Sequence, residues 1–387
     1  MGIIENKIKN RARTFFGNFK YDLFFAPSRI NLIGEHLDYN GGYVLPAAID
    51  IGSYIAIRKN GTNKIRLRSL NAKVYRELEI GEDFNPKNNW LNYPLGMVNF
   101  LKKRGYNVEG FDGVIMGNIP TGSGLSSSAS LEILIGYCMS ELFNDGKIDN
   151  KILAEVGMDV ENKFIGLNSG IMDQFAIAMG RKDKMILLDT SNLNFSYEDI
   201  DLDNNALMIL NTKKHRKLTD SKYNERKAEC DKSLEIINRT KNYKFLSEIS
   251  TNEMDEVLSL LNEDTLVKRV RHIITENQRV LDFIKASREK DYVYMGSLLN
   301  ESDRSLKDDY EVTGYELDTI TSLARYFGAL GARMTGAGFG GCAIALIKSK
   351  DRSYFKRALL TEYKNKTSLS GEIYEVVISD GPRRIIE

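Results

Sequence analysis

The sequence predicts two domains that mix helices with strands, and three observations predict it. At 387 residues the chain is longer than one compact core ordinarily organises. Its first half alternates strand-like apolar runs with amphipathic helical ones. From about Ser221 it turns mostly helical and highly charged, then closes on a strand-loop-strand pattern.

The elements follow in order. Leu23-Phe24-Phe25-Ala26-Pro27 is an apolar strand, and a second apolar run extends from Tyr43 to Ile51. Ile51 to Lys59 and Lys64 to Leu70 read as strands, the second alternating. Asn92 to Arg104 predicts a helix, with Leu95, Val98 and Leu101 on one face and Gly105 as its stop. Gly113 to Met116 is a short strand. Ser130 to Phe143 predicts a helix, because Leu131, Leu134, Ile135, Cys138 and Leu142 recur at helical spacing. Ala154 to Phe164 is a further helical run. Met185 to Leu188 and Ala206 to Leu210 are apolar strands, and Gly331 to Ile347 followed by Ile373 to Ile378 form the closing pattern. The domains are placed at 1–185 and 186–387, although no Pro/Gly/Ser linker marks the boundary.

Composition excludes several classes. With 54 basic and 53 acidic residues the formal net charge is +1, so there is no bulk electrostatic case for nucleic acid or an anionic membrane. Cys138, Cys230 and Cys342 are widely spaced and odd in number. Neither a disulfide framework nor a zinc spacing is visible, and a reducing cytoplasm is expected. The start, MGIIENKIKNRARTFF, has no apolar h-region and no small-residue cleavage site. No apolar run reaches the roughly 18 residues needed to span a bilayer. The basic run Lys213 to Lys217 is expected as a solvated face.

Four loops carry the chemistry. The first, Arg29 to Tyr39, reads RINLIGEHLDY and sets Arg29, Glu35, His36 and Asp38 between two segments that want burial. A core would avoid so many ionisable groups unless each were paired, so the cluster points to a hydroxyl-rich ligand. The second, Gly117 to Ser130, reads GNIPTGSGLSSSAS between a strand and an amphipathic helix. Glycines let backbone N–H groups approach an anion, and the helix start adds unsatisfied N–H groups and a favourable dipole. A flexible linker would not run directly into Leu131-Glu132-Ile133-Leu134-Ile135, and the missing lysine rules out a Walker A loop. The third, Gly336 to Gly341, matches G-x-G-x-x-G, but the segment after it reads as a strand and not a helix, which rejects a dinucleotide fingerprint. A tight turn and direct ligand contact both remain open there. The fourth, Gly166 to Phe175, reads GLNSGIMDQF; taken alone, its Asp173 reads first as a helix cap. Upstream, Glu161 reads as a solvated helix carboxylate.

In this order the loops resemble the galactokinases, within the galactokinase, homoserine kinase, mevalonate kinase and phosphomevalonate kinase superfamily. The resemblance spans Phe25 to Arg384. It rests on the long signature in the first loop, where Ser28 replaces the usual Gly, on Asn118 to Ser130, and on MTGAGFGG from Met334 to Gly341. SKYNERKAEC, SLKDDYEVT and the ending Gly381-Pro382-Arg383-Arg384 strengthen it.

The resemblance implies the superfamily fold: an N-terminal mixed-sheet α/β domain and a C-terminal α+β domain, with the active site between them. It implies phosphoryl transfer from ATP, with Mg2+, to the C1 hydroxyl of galactose. Asp173 would face the reacting hydroxyl and Arg29 would be its cationic neighbour. Glu35, His36, Asp38, Asp173 and Tyr223 would bind the sugar. The loop Gly122, Ser123, Gly124, Leu125, Ser126, Ser127 and Ser128 would take the phosphates, with Trp90 near the adenine. Ser128 and Glu161 would be the Mg2+ ligands. A cytoplasmic monomer is expected. The alternatives are a kinase for N-acetylgalactosamine or arabinose, or a non-catalytic sensor of galactose and ATP.

Overall fold

The computed structural model describes residues 2–120, 122–214 and 219–386. Five strands of the first half and one from the chain's end build a six-stranded sheet in the order Arg383–Arg384, Asp22–Asn31, Pro46–Lys59, Phe111–Gly117, Lys64–Ser69, Glu77–Glu79. All neighbours are antiparallel except Phe111–Gly117 with Lys64–Ser69, so the sheet is mixed. Both faces of its central strands are covered, which is why they read as continuous apolar runs. Phe24, Ile55, Ile57 and Ile115 join the main core with helix Ser127–Phe143. Their alternating neighbours Leu23, Ala56 and Val114 pack instead on Ile8 and Ala12 of helix Ile3–Phe16. This first helix has no counterpart in the sequence reading, because only those two of its 14 residues are buried and its apolar stripe is thin.

Helix Ser127–Phe143 starts at Ser127 and not at Ser130. Serines favour loops because their hydroxyls compete for backbone hydrogen bonds. Here those hydroxyls are occupied elsewhere: Ser128 donates to Glu161 at 3.1 Å, and Ser130 to the Ala26 carbonyl at 3.1 Å. The run predicted over Ala154 to Phe164 is an α-helix over Asn150–Asp159 that widens into a π-helix over Val160–Ile165.

In the second half, Gly331–Thr335, Cys342–Lys348, Asn205–Asn211 and Glu372–Glu375 form an antiparallel sheet. Helices Tyr292–Asp308 and Tyr315–Tyr326 pack on its first strand. The Gly336–Gly341 loop joins two antiparallel strands, so the strand expected after Gly341 is present. A three-stranded sheet pairs Tyr43–Val44, just after the first loop, with the mid-chain strands Lys184–Asp189 and Asn194–Asp199, and the 185/186 boundary falls inside its middle strand. Lys213 and Lys214 of the basic run pair with Glu372 at 2.7 Å and Glu316 at 2.6 Å, while His215 to Lys217 lie outside the described residues. Among the described residues no helix is long and apolar enough to cross a membrane. Cys138, Cys230 and Cys342 are buried and form no disulfide.

Candidate active site

Strand Asp22–Asn31 delivers Ser28 and Arg29 to the end of the sheet, where a register shift between Pro27 and Ser28 bends the strand. Ser28 is wholly buried and its hydroxyl donates to the Leu125 carbonyl, which ties the first loop to the phosphate loop. Arg29 is 3% exposed; its Nε donates to Asp173 Oδ1 at 2.7 Å and its Nη2 to Oδ2 at 2.8 Å. Its Nη1 reaches the Gly124 carbonyl at 3.1 Å. Burial works against the guanidinium charge, but Asp173 outweighs it and lifts the Arg29 pKa above its ordinary value. Asp173 stands in the first turn of the short helix Met172–Ala178 and does not cap it, since Ile171 holds the cap position. Its Oδ2 also accepts from Ser126 Oγ.

Glu35 is held from three sides. Its Oε1 accepts from the Gly336 amide at 2.7 Å and lies 3.1 Å from Arg333 Nη2, and its Oε2 accepts from Asn31 Nδ2 at 3.0 Å. His36 Nδ1 bonds the Tyr39 hydroxyl at 2.8 Å, and the chain continues to Tyr310 at 2.8 Å and Cys230 Sγ at 3.2 Å. Burial, with the neighbouring His272 and Arg226, pushes the His36 pKa well below its ordinary value, so the imidazole is neutral. Its Nε2 is buried without a partner among the described residues, and a sugar hydroxyl would satisfy it.

Burial, reinforced by the charges of Asp173 and Glu35, pushes the Asp38 carboxyl up to about 7. Gly170 stands against it: a Cβ at that position would overlap the Asp38 carboxylate, so the glycine is what lets the two loops meet. Tyr223 packs its ring 5.7 Å from His36 and 5.1 Å from Tyr39, centroid to centroid. Burial raises its pKa well above the ordinary value and keeps its hydroxyl a donor.

In the phosphate loop Gly122, Gly124 and Ser126 take φ of 71°, 74° and 56°, a backbone that fans N–H groups into a concave surface. Ser126 precedes helix Ser127–Phe143 without capping it, because its hydroxyl is given to Asp173. The N–H groups of the first helical turn therefore stay available to an anion. Glu161 is only 7% exposed and accepts from Ser128 at 3.1 Å and Ser169 at 2.6 Å. The solvated-carboxylate reading of Glu161 is thus corrected. Burial raises its pKa, and the Ser169 hydrogen bond pulls it partly back. Behind it, Glu132 is wholly buried and accepts from Gln174 Nε2 at 3.0 Å. Burial, reinforced by the charge of Glu161, pushes the Glu132 carboxyl well above its ordinary value.

All of these loops open onto one cleft of about 320 Å3. Every residue assigned to catalysis, sugar, phosphate or metal by the sequence lines it, except Leu125 and Trp90. Leu125 buries its side chain in the core and contributes backbone alone. Trp90 sits in the 3-10 helix Pro86–Leu91 and gives its indole N–H to the Val74 carbonyl at 3.2 Å. Asn168, Ser169, Asn224, Gly336 and Ala337 line the cleft without having been anticipated individually.

Behind the lining stand Arg333, Glu276 and His272. Glu276 accepts from the Gly34 amide at 2.9 Å, Ser302 at 2.7 Å and Arg279 at 2.8 Å. Burial opposes its ionisation, yet Arg279 and His272 overcome that and hold the carboxyl at about 2. His272 Nε2 donates to the Glu35 carbonyl at 3.1 Å, and burial lowers its pKa to about 4. Signals for these existed: His272 and Glu276 share the buried face of one helix at i, i+4, and Arg333 is a charge in an apolar strand.

Family models described as the GHMP kinases N terminal domain, the galactokinase galactose-binding signature and the GHMP kinases C terminal match residues 92–181, 13–59 and 283–365. The galactokinase of Ligilactobacillus salivarius (strain UCC118) is 47% identical over 381 residues, covering 97% of this chain and 98% of its own length. That of Staphylococcus carnosus (strain TM300) is 46% identical over 383 residues, covering 98% of each. The crystal structure of Lactococcus lactis galactokinase complexed with galactose is 41% identical, with a TM-score of 0.95 over 99% of this chain and 100% of that one. The Methanococcus jannaschii mevalonate kinase, 23% identical, matches with a TM-score of 0.65 over 93% of this chain and 99% of its own, a likeness of fold. Identity sustained from end to end, together with a shared backbone, means that this chain belongs to the galactokinase family.

Proposed function

We propose that the chain transfers the γ-phosphoryl group of ATP to the C1 hydroxyl of D-galactose, giving galactose 1-phosphate and ADP. The observation that carries this is the Arg29–Asp173 pair, which stands where the sugar loop and the phosphate loop meet in one cleft. The relative from Lactococcus lactis was solved with galactose, which supports that sugar as the acceptor.

A neutral sugar offers only hydroxyls, so recognition rests on directional hydrogen bonds. Glu35 and Asp38 supply acceptors, Tyr223 a donor and His36 the unsatisfied Nε2. A misplaced hydroxyl would leave one of these buried groups unpaired, at a cost of about 1–3 kcal/mol. The phosphate loop positions the nucleotide with backbone N–H groups, and phosphoryl transfer asks mainly for positioning and charge neutralisation. Arg29 meets the second need. Asp173 spends both oxygens on Arg29 and one also on Ser126, which suits an orienting acceptor that takes the proton late more than a strong base.

Ser128 Oγ and Glu161 Oε1 are adjacent hard oxygen donors beside Asp173, and they fit Mg2+, which ordinarily takes one or two protein ligands plus phosphate and water. Bound there, Mg2+ would neutralise charge on the β- and γ-phosphates. The same reading makes 1–185 and 186–387 the two domains, with the final strand Arg383–Arg384 returning to the first sheet. It places Trp90 toward the adenine and the chain in the cytoplasm as a monomer, and buried thiols support a reducing compartment.

A coupled assay following ADP release on a panel of free sugars tests the function. Galactose should be turned over fastest. Faster release with N-acetylgalactosamine or arabinose would reassign the substrate, and binding of galactose and ATP without release would make the chain a sensor.

A further inference from the structure

We propose that Arg333 is a positioning residue for sugar recognition and acts through Glu35; this rests on the reading of Glu35 as a sugar-hydroxyl partner. Arg333 lies on strand Gly331–Thr335, more than half the chain from the sugar loop, and is wholly buried. Its Nη1 donates to the Leu32 carbonyl at 2.7 Å, inside the sugar loop itself. Its Nη2 lies 3.1 Å from Glu35 Oε1 as an ion pair. Two residues on, Thr335 Oγ1 donates to the Asn31 carbonyl at 3.1 Å and accepts from the Asn31 amide at 3.2 Å. Residues at i and i+2 share one face of a strand, so Arg333 and Thr335 clamp the loop from the same side. The Gly336 amide completes the clamp on Glu35 Oε1 at 2.7 Å.

The clamp has a consequence for the carboxylate. Among the described residues each Glu35 oxygen accepts one hydrogen bond, Oε1 from the Gly336 amide and Oε2 from Asn31 at 3.0 Å, and the Arg333 guanidinium stands against Oε1 as an ion pair. With the cation on the Oε1 side, Oε2 is the freer acceptor for a hydroxyl. Arg333 also supplies countercharge where Glu35, Asp38 and Asp173 crowd one cleft. Without it Glu35 keeps only the Gly336 amide and Asn31, and loses the one charge that fixes its orientation against the strand, so its grip on a hydroxyl at a particular carbon loosens.

The test measures galactose binding by calorimetry, steady-state KM for galactose and for ATP, and the galactose-to-glucose ratio of kcat/KM. It uses Arg333→Lys, Arg333→Met, Glu35→Gln and the double variant. Arg333→Met should weaken galactose binding about tenfold or more and lower the sugar selectivity, with KM for ATP held within about twofold. Arg333→Lys should recover part of the affinity but little of the selectivity, because a point charge lacks the fork. In the double variant, which carries no buried unpaired charge, the loss should equal that of Glu35→Gln alone. Galactose affinity unchanged in both Arg333 variants, or losses that add in the double variant, overturns the proposal while leaving Glu35 in its role. Unchanged affinity in Glu35→Gln overturns the role of Glu35, and the proposal with it.

Discussion

Asp38→Asn should make the sugar-free protein more stable and the enzyme worse. The Asp38 carboxyl ordinarily titrates at 3.8, and in the folded chain burial beside Asp173 and Glu35 carries it to about 7. Below about pH 4 the carboxyl is protonated folded and unfolded alike and contributes nothing. As pH rises from there, the unfolded chain ionises while the folded one keeps its proton, so stability is lost, and the loss is complete above about pH 7. Moving a carboxyl that far corresponds to about 4 kcal/mol at full burial. Asp38 opens partly to cleft water, and about 2 kcal/mol is the working figure. An asparagine escapes the loss, because it never ionises and is nearly the same shape.

The assay is thermal or urea unfolding of both proteins without sugar, from pH 5 to 8.5. At pH 8 the variant should be more stable by about 2 kcal/mol, roughly 2–3 °C in Tm for a chain of this size. At pH 5 the advantage should be smaller than at pH 8. Galactose should reverse the order, since its hydroxyls donate to the ionised carboxylate and stabilise only the parent protein. By linkage, galactose binding to the parent should release protons near neutrality and tighten as pH rises through 7. A variant no more stable than its parent at pH 8, or one whose advantage is flat with pH, would refute the reasoning.

Three further perturbations address the other loops. Asp173→Asn should abolish nearly all ADP release while nucleotide binding, followed by calorimetry, persists; substantial turnover would remove Asp173 from the reacting centre. Glu161→Ala should raise the Mg2+ concentration needed for half-maximal rate, because only the Ser128 hydroxyl of the pair remains, and an unchanged metal titration would exclude Glu161. Gly170→Ala should raise KM for galactose about tenfold with KM for ATP little changed, since the added methyl displaces the Asp38 carboxylate. Equal galactose KM values would mean that Asp38 does not need its present position.

The legible parts of this molecule are those where one short stretch of sequence carries the whole signal. The strands Asp22–Asn31 and Asn205–Asn211 are buried on both faces, so their apolar runs announce them. The four loops are contiguous, and their side chains enter the cleft from within a few residues of each other. Glu161 was legible in position but not in role: it follows Ala154 and Gly157 at helical spacing on the buried face of the run, yet nothing local names Ser128 and Ser169 as the partners that a buried carboxylate there would meet. Arg333 and Glu276 were illegible for a different reason. Each meets the first loop from hundreds of residues away, and periodicity reports burial without naming what a buried charge will meet.

The long-range partners have a common physical basis. Glu35, Asp38 and Asp173 are the three carboxylates assigned to the sugar, beside Glu161 in the same cleft, and under the proposed function the sugar has no charge to offset them. Countercharge must therefore come from the protein, and it comes unequally. Arg29 grips Asp173 with two hydrogen bonds, and Arg333 stands against Glu35. No arginine forms an ion pair with Asp38 among the described residues, and burial beside Asp173 and Glu35 carries its carboxyl up to about 7. The two paired carboxylates are held in place, one by Arg29 and one clamped by the third glycine-rich loop. Under the proposed function, Asp38 would be satisfied by the sugar, so that a cost present without sugar would be relieved only when hydroxyls arrive in the right arrangement.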